Sequence, residues 1–156
     1  MDYFLTEEQQ MIKELAAKIA DEKISPVAIE YDEQGKFPHD IVKILADSDL
    51  FGVYIDEEYG GLGGGVFEMS LVVEELSRAC GGISLAFAGT GLGTFPTILF
   101  GSDEQKQKYL PDIAAGRKLA AFGLTEADAG SDASGIQTTA EADGDEYVLN
   151  GTKQWI

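Results

Sequence analysis

The chain has few of the residues that build covalent or metallic frameworks. Among 156 residues there is one cysteine, Cys80, and one histidine, His39. One thiol cannot close an internal disulfide, and one thiol with one imidazole cannot complete a zinc cage. The shortage of cysteine suits a reducing compartment. Positive charge is scarce as well: 11 Lys and Arg stand against 28 Asp and Glu, for a formal charge of −17. Nucleic acid and anionic lipid both call for a basic patch, so neither is an expected partner. A disordered acidic chain is not expected either, because 44 % of the residues are apolar, 10 % are aromatic and the apolar periodicity is strong. The opening Met1-Asp2-Tyr3-Phe4-Leu5 lacks a basic n-region, so no signal or transit peptide is read there. A cytoplasmic protein is expected, with a processed organelle protein as the alternative.

One uncharged stretch, from Ala79 to Ser102, is long enough to span a bilayer. Its glycines, threonines and Pro96 predict a closely packed core helix instead, without membrane insertion.

The first two thirds of the chain read as helices. Thr6-Glu7-Glu8-Gln9 is a capping box, followed by an apolar stripe through Met11, Ile12, Leu15, Ala16, Ile19 and Ala20. Ser25-Pro26 starts a second helix that Gly35 ends, and Pro38 opens a third with Ile41, Ile44 and Leu45 inward. Leu50 to Ile55 is apolar, and Gly60 to Gly65 follows as a flexible connection. Met69, Val72, Val73, Leu76, Ala79 and Cys80 carry the clearest helical period. Gly81-Gly82 breaks it, and a buried helix over 83–100 is predicted next. Ser102 and Gln105 form a second capping box, opening a helix that Pro111 interrupts or kinks and Gly116 ends. After Lys118 the period changes. Leu119 to Leu124 reads as a buried strand, Ile136 to Ala142 alternates weakly, and Tyr147 to Ile156 reads as a hairpin turning at Asn150-Gly151. The expected fold class is mainly α: a helical domain over 1–117, then the first strands of an incomplete β domain over 118–156. Stopping in mid-strand on Trp155 and Ile156, the chain reads as an N-terminal piece of a longer protein.

Several features carry no chemistry. The run Gly60-Gly61-Leu62-Gly63-Gly64-Gly65 fits no GxGxxG register, and Asp56, Glu57 and Glu58 beside it would repel phosphate. His39 sits at a helix start, and Cys80 on an apolar stripe reads as a small core residue. The informative segment is Phe122-Gly123-Leu124-Thr125-Glu126-Ala127-Asp128-Ala129-Gly130-Ser131-Asp132. It offers hydroxyls, small residues and free amides to one edge of a flat ligand. Its three carboxylates make it a poor phosphate site but a tolerable one for a neutral heterocycle. By residue type alone it is an ordinary turn, and Trp155 is equally ambiguous between ring stacking and core packing.

Leu124 to Asp132 resembles the first signature of the acyl-CoA dehydrogenases, and Asn150-Gly151-Thr152-Lys153-Gln154-Trp155-Ile156 resembles the family's NG-x-K-x-W-I-T strand. Glu57-Glu58-Tyr59-Gly60-Gly61-Leu62-Gly63 and Phe100 to Pro111 are similar to two further family segments. The resemblance covers essentially the whole chain, in order. It implies an N-terminal helical domain, a middle β domain and a C-terminal four-helix bundle, of which this chain supplies the first and the start of the second. It also implies FAD and oxidation of an acyl-CoA thioester to the trans-2-enoyl-CoA: a carboxylate removes the α proton, and the β carbon passes hydride to the flavin. An electron-transferring flavoprotein and a homo-oligomer, commonly a tetramer, are the implied partners.

Carried over position by position, Phe122, Gly123, Leu124 and Thr125 would line the flavin. Gly130 and Ser131 would border its pyrophosphate and ribityl side, and Ser131 would also touch the CoA arm. Trp155 and Ile156 would lie along the ring system. Leu85, Phe87, Ala88, Gly89 and Leu92 would form part of the acyl pocket. No catalytic base is assigned within the chain, since the family's glutamate usually lies in the C-terminal bundle; the chain alone is expected to be inactive and to hold FAD poorly. Two departures stand out: Ala127 where the family commonly has proline, and Ser48-Asp49 in place of the usual glycine before the L-x-G turn. The alternatives are an acyl-CoA oxidase or enoyl-CoA reductase on the same framework, or a non-catalytic helical module that binds a partner.

Overall fold

The computed structural model describes residues 4–156. Helices dominate: α1 (Glu7–Ile19), α2 (Ala28–Gln34), α3 (His39–Asp47), α4 (Val66–Ala79), α5 (Gly81–Phe100) and α6 (Asp103–Ala114), followed by one hairpin of β1 (Thr139–Asp143) and β2 (Glu146–Asn150). The chain separates into two compact units, the first running to Ala121 and the second spanning Phe122–Ile156.

Local sequence chemistry sets the helix ends. Both capping boxes form: Thr6 accepts from the Gln9 amide, and Ser102 from that of Gln105. Each box supplies partners for helix-start amides that have none inside the helix. Glu68 caps α4 by accepting from Gly65 N at 2.7 Å, and its other oxygen accepts from Gln9 Nε2 at 2.8 Å, which ties the starts of α1 and α4 together. A π-helical turn, Ala20–Ile24, carries α1 toward α2, and Gly35 ends α2 at φ 57°. Pro111 lies in the last turns of α6 without ending it.

The core of the first unit gathers Ile12, Ala16 and Ile19 of α1, Leu45 of α3, Val72 and Leu76 of α4, Phe87 of α5 and Leu110 of α6 around the segment 50–55. Leu50, Phe51, Val53 and Ile55 are at most 1 % exposed. Asp49, just before them, adopts φ 57°. Asp and Asn tolerate that left-handed conformation better than most side chains but less well than glycine.

The glycine-rich connection is not flexible. Gly61 N donates to Asp56 O, Leu62 N to Gly52 O at 2.8 Å and Gly63 N to Ile55 O at 2.9 Å. A Cβ at Gly61 would drive into the Ile55 carbonyl group, and one at Gly64 into Val53 O. These glycines let two backbone segments touch.

Helix α5 is long and apolar enough to cross a membrane, yet it buries one face in this unit. Ile83, Ser84, Phe87, Thr90, Gly91 and Thr94 point inward, while Leu85, Leu92 and Leu99 are exposed. The buried threonines cause no polar penalty: Thr90 donates to Ala86 O at 3.1 Å and Thr94 to Thr90 O at 2.6 Å. The expectation of a buried helix is corrected to a half-buried one. Cys80, half-buried, lies at the α4–α5 junction and packs against the core.

After Lys118 the structure departs from the sequence reading in two places. Leu119 to Leu124 forms no strand and is largely exposed. The hairpin turns at Gly144-Asp145, with Asp143 opposite Glu146 and Thr139 opposite Asn150. Gly144, at φ 62°, supplies the positive φ that a II′ connection needs at its first loop position. Asn150-Gly151 ends β2 instead of turning it. A Cβ on Gly151 would lie 2.7 Å from the Thr138 Cβ, so this glycine serves a close approach.

Candidate functional site

The sequence singled out two separate stretches of the second unit, 122–132 and 150–156. The structure brings them together. Gln154 N donates to Thr125 O at 2.9 Å, and Lys153 Nζ donates to Leu124 O at 3.0 Å. The side chain of Ile156 lies 3.8 Å from where a Gly123 Cβ would sit.

Within the first stretch the chain makes a tight turn. Glu126 N donates to Ala129 O at 3.1 Å and Ala129 N to Glu126 O at 3.2 Å. Ala127 occupies the first central position, without positive φ, where proline is favoured. Its own N–H has no backbone partner among the described residues. Ala127→Pro is therefore expected to raise stability by about 0.4–1 kcal/mol by restricting the unfolded chain; urea denaturation of the two proteins checks this.

Glu126 is the one buried charged group of the turn, 8 % exposed. Its Oε1 accepts from Thr138 N at 3.1 Å, from Thr138 Oγ1 and from Lys153 Nζ at 2.9 Å; its Oε2 accepts from Gln137 N at 2.8 Å. These donors, the Thr138 hydroxyl foremost, draw the carboxyl pKa down to about 2. A carboxylate so engaged is a poor proton acceptor at neutral pH. Two of the loop's three carboxylates have partners inside the unit. Lys153 compensates Glu126, and Asp132 accepts the Ser134 amide and hydroxyl.

The residues expected to meet a flavin are at the surface. Phe122 and Leu124 are partly exposed, Gly123, Gly130 and Ser131 are exposed, and Trp155 is 86 % exposed. Trp155 adopts φ 62°, which takes it out of a regular strand. The Thr138 and Ser134 hydroxyls are spent inside the unit. Those of Thr125 and Ser131 have no protein partner among the described residues, and neither do the amides of Gly130 and Ser131. Free hydroxyls and amides, together with an exposed indole in the segment bonded to Thr125, have the chemistry to hold a flat heterocycle with polar edges, so the donor set fits a flavin.

In the first unit, Leu85, Ala88 and Leu92 follow helical spacing along one face of α5. Ala88 and Leu92 border an open apolar cleft of about 610 Å³ with Val66, Met69, Val73 and Phe95. Gly89 is half-buried beside them. Phe87 does not join that face: it is fully buried, with ring centroids 5.3 Å from Phe51 and 6.0 Å from Tyr54.

Comparison with known proteins bears directly on these features. Residues 6–117 match the family model of the acyl-CoA dehydrogenase N-terminal domain. The chain belongs to the acyl-CoA dehydrogenase family. Residues 121–156 match the middle domain of the same family. The chain is 46 % identical over its whole length to a probable acyl-CoA dehydrogenase, YngJ, of Bacillus subtilis. It is 45 % identical over 98 % of its length to a 3-(aryl)acrylate reductase of Clostridium sporogenes. It spans 41 % of the length of each of these relatives. Among solved structures it is similar to a Bacillus anthracis acyl-CoA dehydrogenase complexed with FAD, with TM-score 0.87, 40 % identity, and 97 % of this chain and 26 % of that chain covered.

The Glu126 cluster was invisible to sequence reading. Thr138 and Lys153 lie 12 and 27 residues from Glu126, and only the register of the hairpin brings them to one point.

Proposed function

We propose that the protein to which this chain belongs is an FAD-dependent acyl-CoA dehydrogenase, oxidising an acyl-CoA thioester to the trans-2-enoyl-CoA. In this reading residues 1–117 are its N-terminal helical domain and 118–156 the start of its middle domain. The observation that carries the reading is the uncommitted donor rim of Thr125, Gly130 and Ser131, in a unit where the segment ending at Trp155 and Ile156 is hydrogen-bonded to Leu124 and Thr125. FAD, when bound, supplies the acceptor for hydride from the substrate β carbon.

The chain's own residues bind and orient. Thr125 and the amides near it hold the ring edge, and Phe122, Gly123 and Leu124 line it. Gly130 and Ser131 border the pyrophosphate, Ser131 also meeting the CoA arm. Trp155 and Ile156 cover the ring system and exclude water from it. On α5, Leu85, Ala88, Gly89 and Leu92 offer an apolar face to the acyl chain, with Phe87 seating the helix from beneath. The base that takes the α proton belongs to the rest of the longer protein. An electron-transferring flavoprotein as acceptor, assembly into a homo-oligomer and a cytoplasmic location complete the proposal.

A second reading rests on one observation. The reductase of Clostridium sporogenes is nearly as similar as the Bacillus subtilis relative, so reduction of an enoyl group is the rival direction. The full-length protein should be yellow and bleach anaerobically on addition of butyryl-CoA. Failure to bleach, with rapid reoxidation of the reduced flavin by an enoyl or acrylate compound, would favour the reductase. Fast reaction with oxygen and release of peroxide would favour the oxidase. Thr125→Ala and Ser131→Ala should each weaken FAD or thioester binding about two- to tenfold, the worth of one hydrogen bond of roughly 0.5–1.5 kcal/mol. Unchanged affinities for both ligands would remove these residues from the site.

A further inference from the structure

We propose that Glu126 is a positioning residue for the flavin edge: its carboxylate locks the 124–126 segment against Thr138 and Lys153, so that the groups facing the ring are in place before FAD arrives. The inference rests on the flavin reading above and adds a residue to which that reading gives no task.

Four donors converge on this one group from two other parts of the unit. Gln137 N and Thr138 N and Oγ1 come from the entry to β1, and Lys153 Nζ comes from the segment after β2. Lys153 makes a second bond, to Leu124 O, and the next residue, Gln154, bonds Thr125 O. Glu126 thus holds the lysine that bonds the backbone just before Thr125, beside the residue that bonds Thr125 itself. Without the carboxylate, two amides, a hydroxyl and an ammonium compete for solvent or for the few acceptors nearby, and the two segments lose their mutual register. The glutamate itself is turned into the unit, with its oxygens engaged there. It acts through Thr125 and Trp155 and touches no reacting atom. Preorganisation of this kind lowers the ordering cost that a ligand would otherwise meet on binding.

The test uses the full-length protein, stripped of flavin and titrated with FAD, comparing the wild type with Glu126→Ala and Glu126→Gln. The readouts are the dissociation constant and the vibronic shoulders of the bound flavin's visible band, which report how the ring is held. Glu126→Ala should weaken FAD at least tenfold and blur the shoulders. Glu126→Gln keeps one acceptor oxygen for Thr138 and Lys153 and sets its NH2 group against the Gln137 amide. It should fall in between, at about threefold, with partial recovery of the shoulders. Wild-type affinity and spectrum in both variants would overturn the proposal while leaving the flavin reading intact. If Glu126→Ala does not fold, Glu126→Gln decides alone: wild-type behaviour overturns the proposal, and weakened binding with altered shoulders supports it. A wild-type protein that takes up no FAD would overturn the flavin reading, and the positioning role with it.

Discussion

Replacing Gly61 with alanine is expected to destabilise the protein by about 3 kcal/mol or more, because the new methyl group overlaps backbone that cannot move aside. The methyl would enter the Ile55 carbonyl group, and Ile55 is fully buried at the centre of the core. Relief requires parting the 50–55 segment from the 60–64 connection. That breaks the bonds from Leu62 N to Gly52 O and from Gly63 N to Ile55 O. For a unit of this size the loss corresponds to a melting temperature lower by roughly 10 °C. Gly81→Ala is the control. Its added methyl meets nothing within 4 Å, at the first residue of α5, and it should raise stability by about 0.4–1 kcal/mol. Calorimetry on the three proteins decides between a packed and a merely flexible glycine run. Equal melting temperatures for Gly61→Ala and the wild type would mean that the close contact does not exist.

Phe87→Ala is expected to cost about 3–5 kcal/mol of stability. The ring is fully buried against Phe51 and Tyr54. Truncation leaves a cavity beside Phe51 and Tyr54 in the centre of the core. Leu85→Ala, two residues earlier and 66 % exposed, should change stability by less than about 0.5 kcal/mol. Urea midpoints for the two variants separate a core role from a surface role on the same helix. A Phe87→Ala protein with an unshifted midpoint and an altered acyl-chain preference would put this ring in the pocket and not beneath it.

The two residues also show what sequence could and could not reveal. Helix ends are local events, so Thr6 with Gln9, Ser102 with Gln105, and Gly35 could be read from a few neighbouring letters. The α4 stripe was equally plain, since Val72 and Leu76 keep helical spacing. On α5, the apolar residues run round the whole circumference, and periodicity could not say that Phe87 faces in while Leu85 and Leu92 face out. The glycine run looked like a flexible loop because the reason for Gly61 is a carbonyl six residues away, brought there by the fold.

The hairpin misled for the same reason. Asn150-Gly151 carries the stronger local turn signal, but Gly151 is small to admit Thr138, and Gly144-Asp145 turns the chain. The proposed site was legible as two family-like segments. Its internal clamp was not, because Glu126, Thr138 and Lys153 share no local pattern. They meet only once β1 and β2 are paired and the segment after β2 has folded back along Leu124 and Thr125.

The central claim is that the stretch holding Thr125 and the stretch holding Trp155 grip one ring system. Trp155 emission tests it directly. In the full-length protein, the difference between wild-type and Trp155→Phe fluorescence isolates this indole. The account predicts that the difference signal disappears on addition of one equivalent of FAD, because a flavin stacked on the indole quenches it. A difference signal that persists while FAD binds stoichiometrically would contradict it.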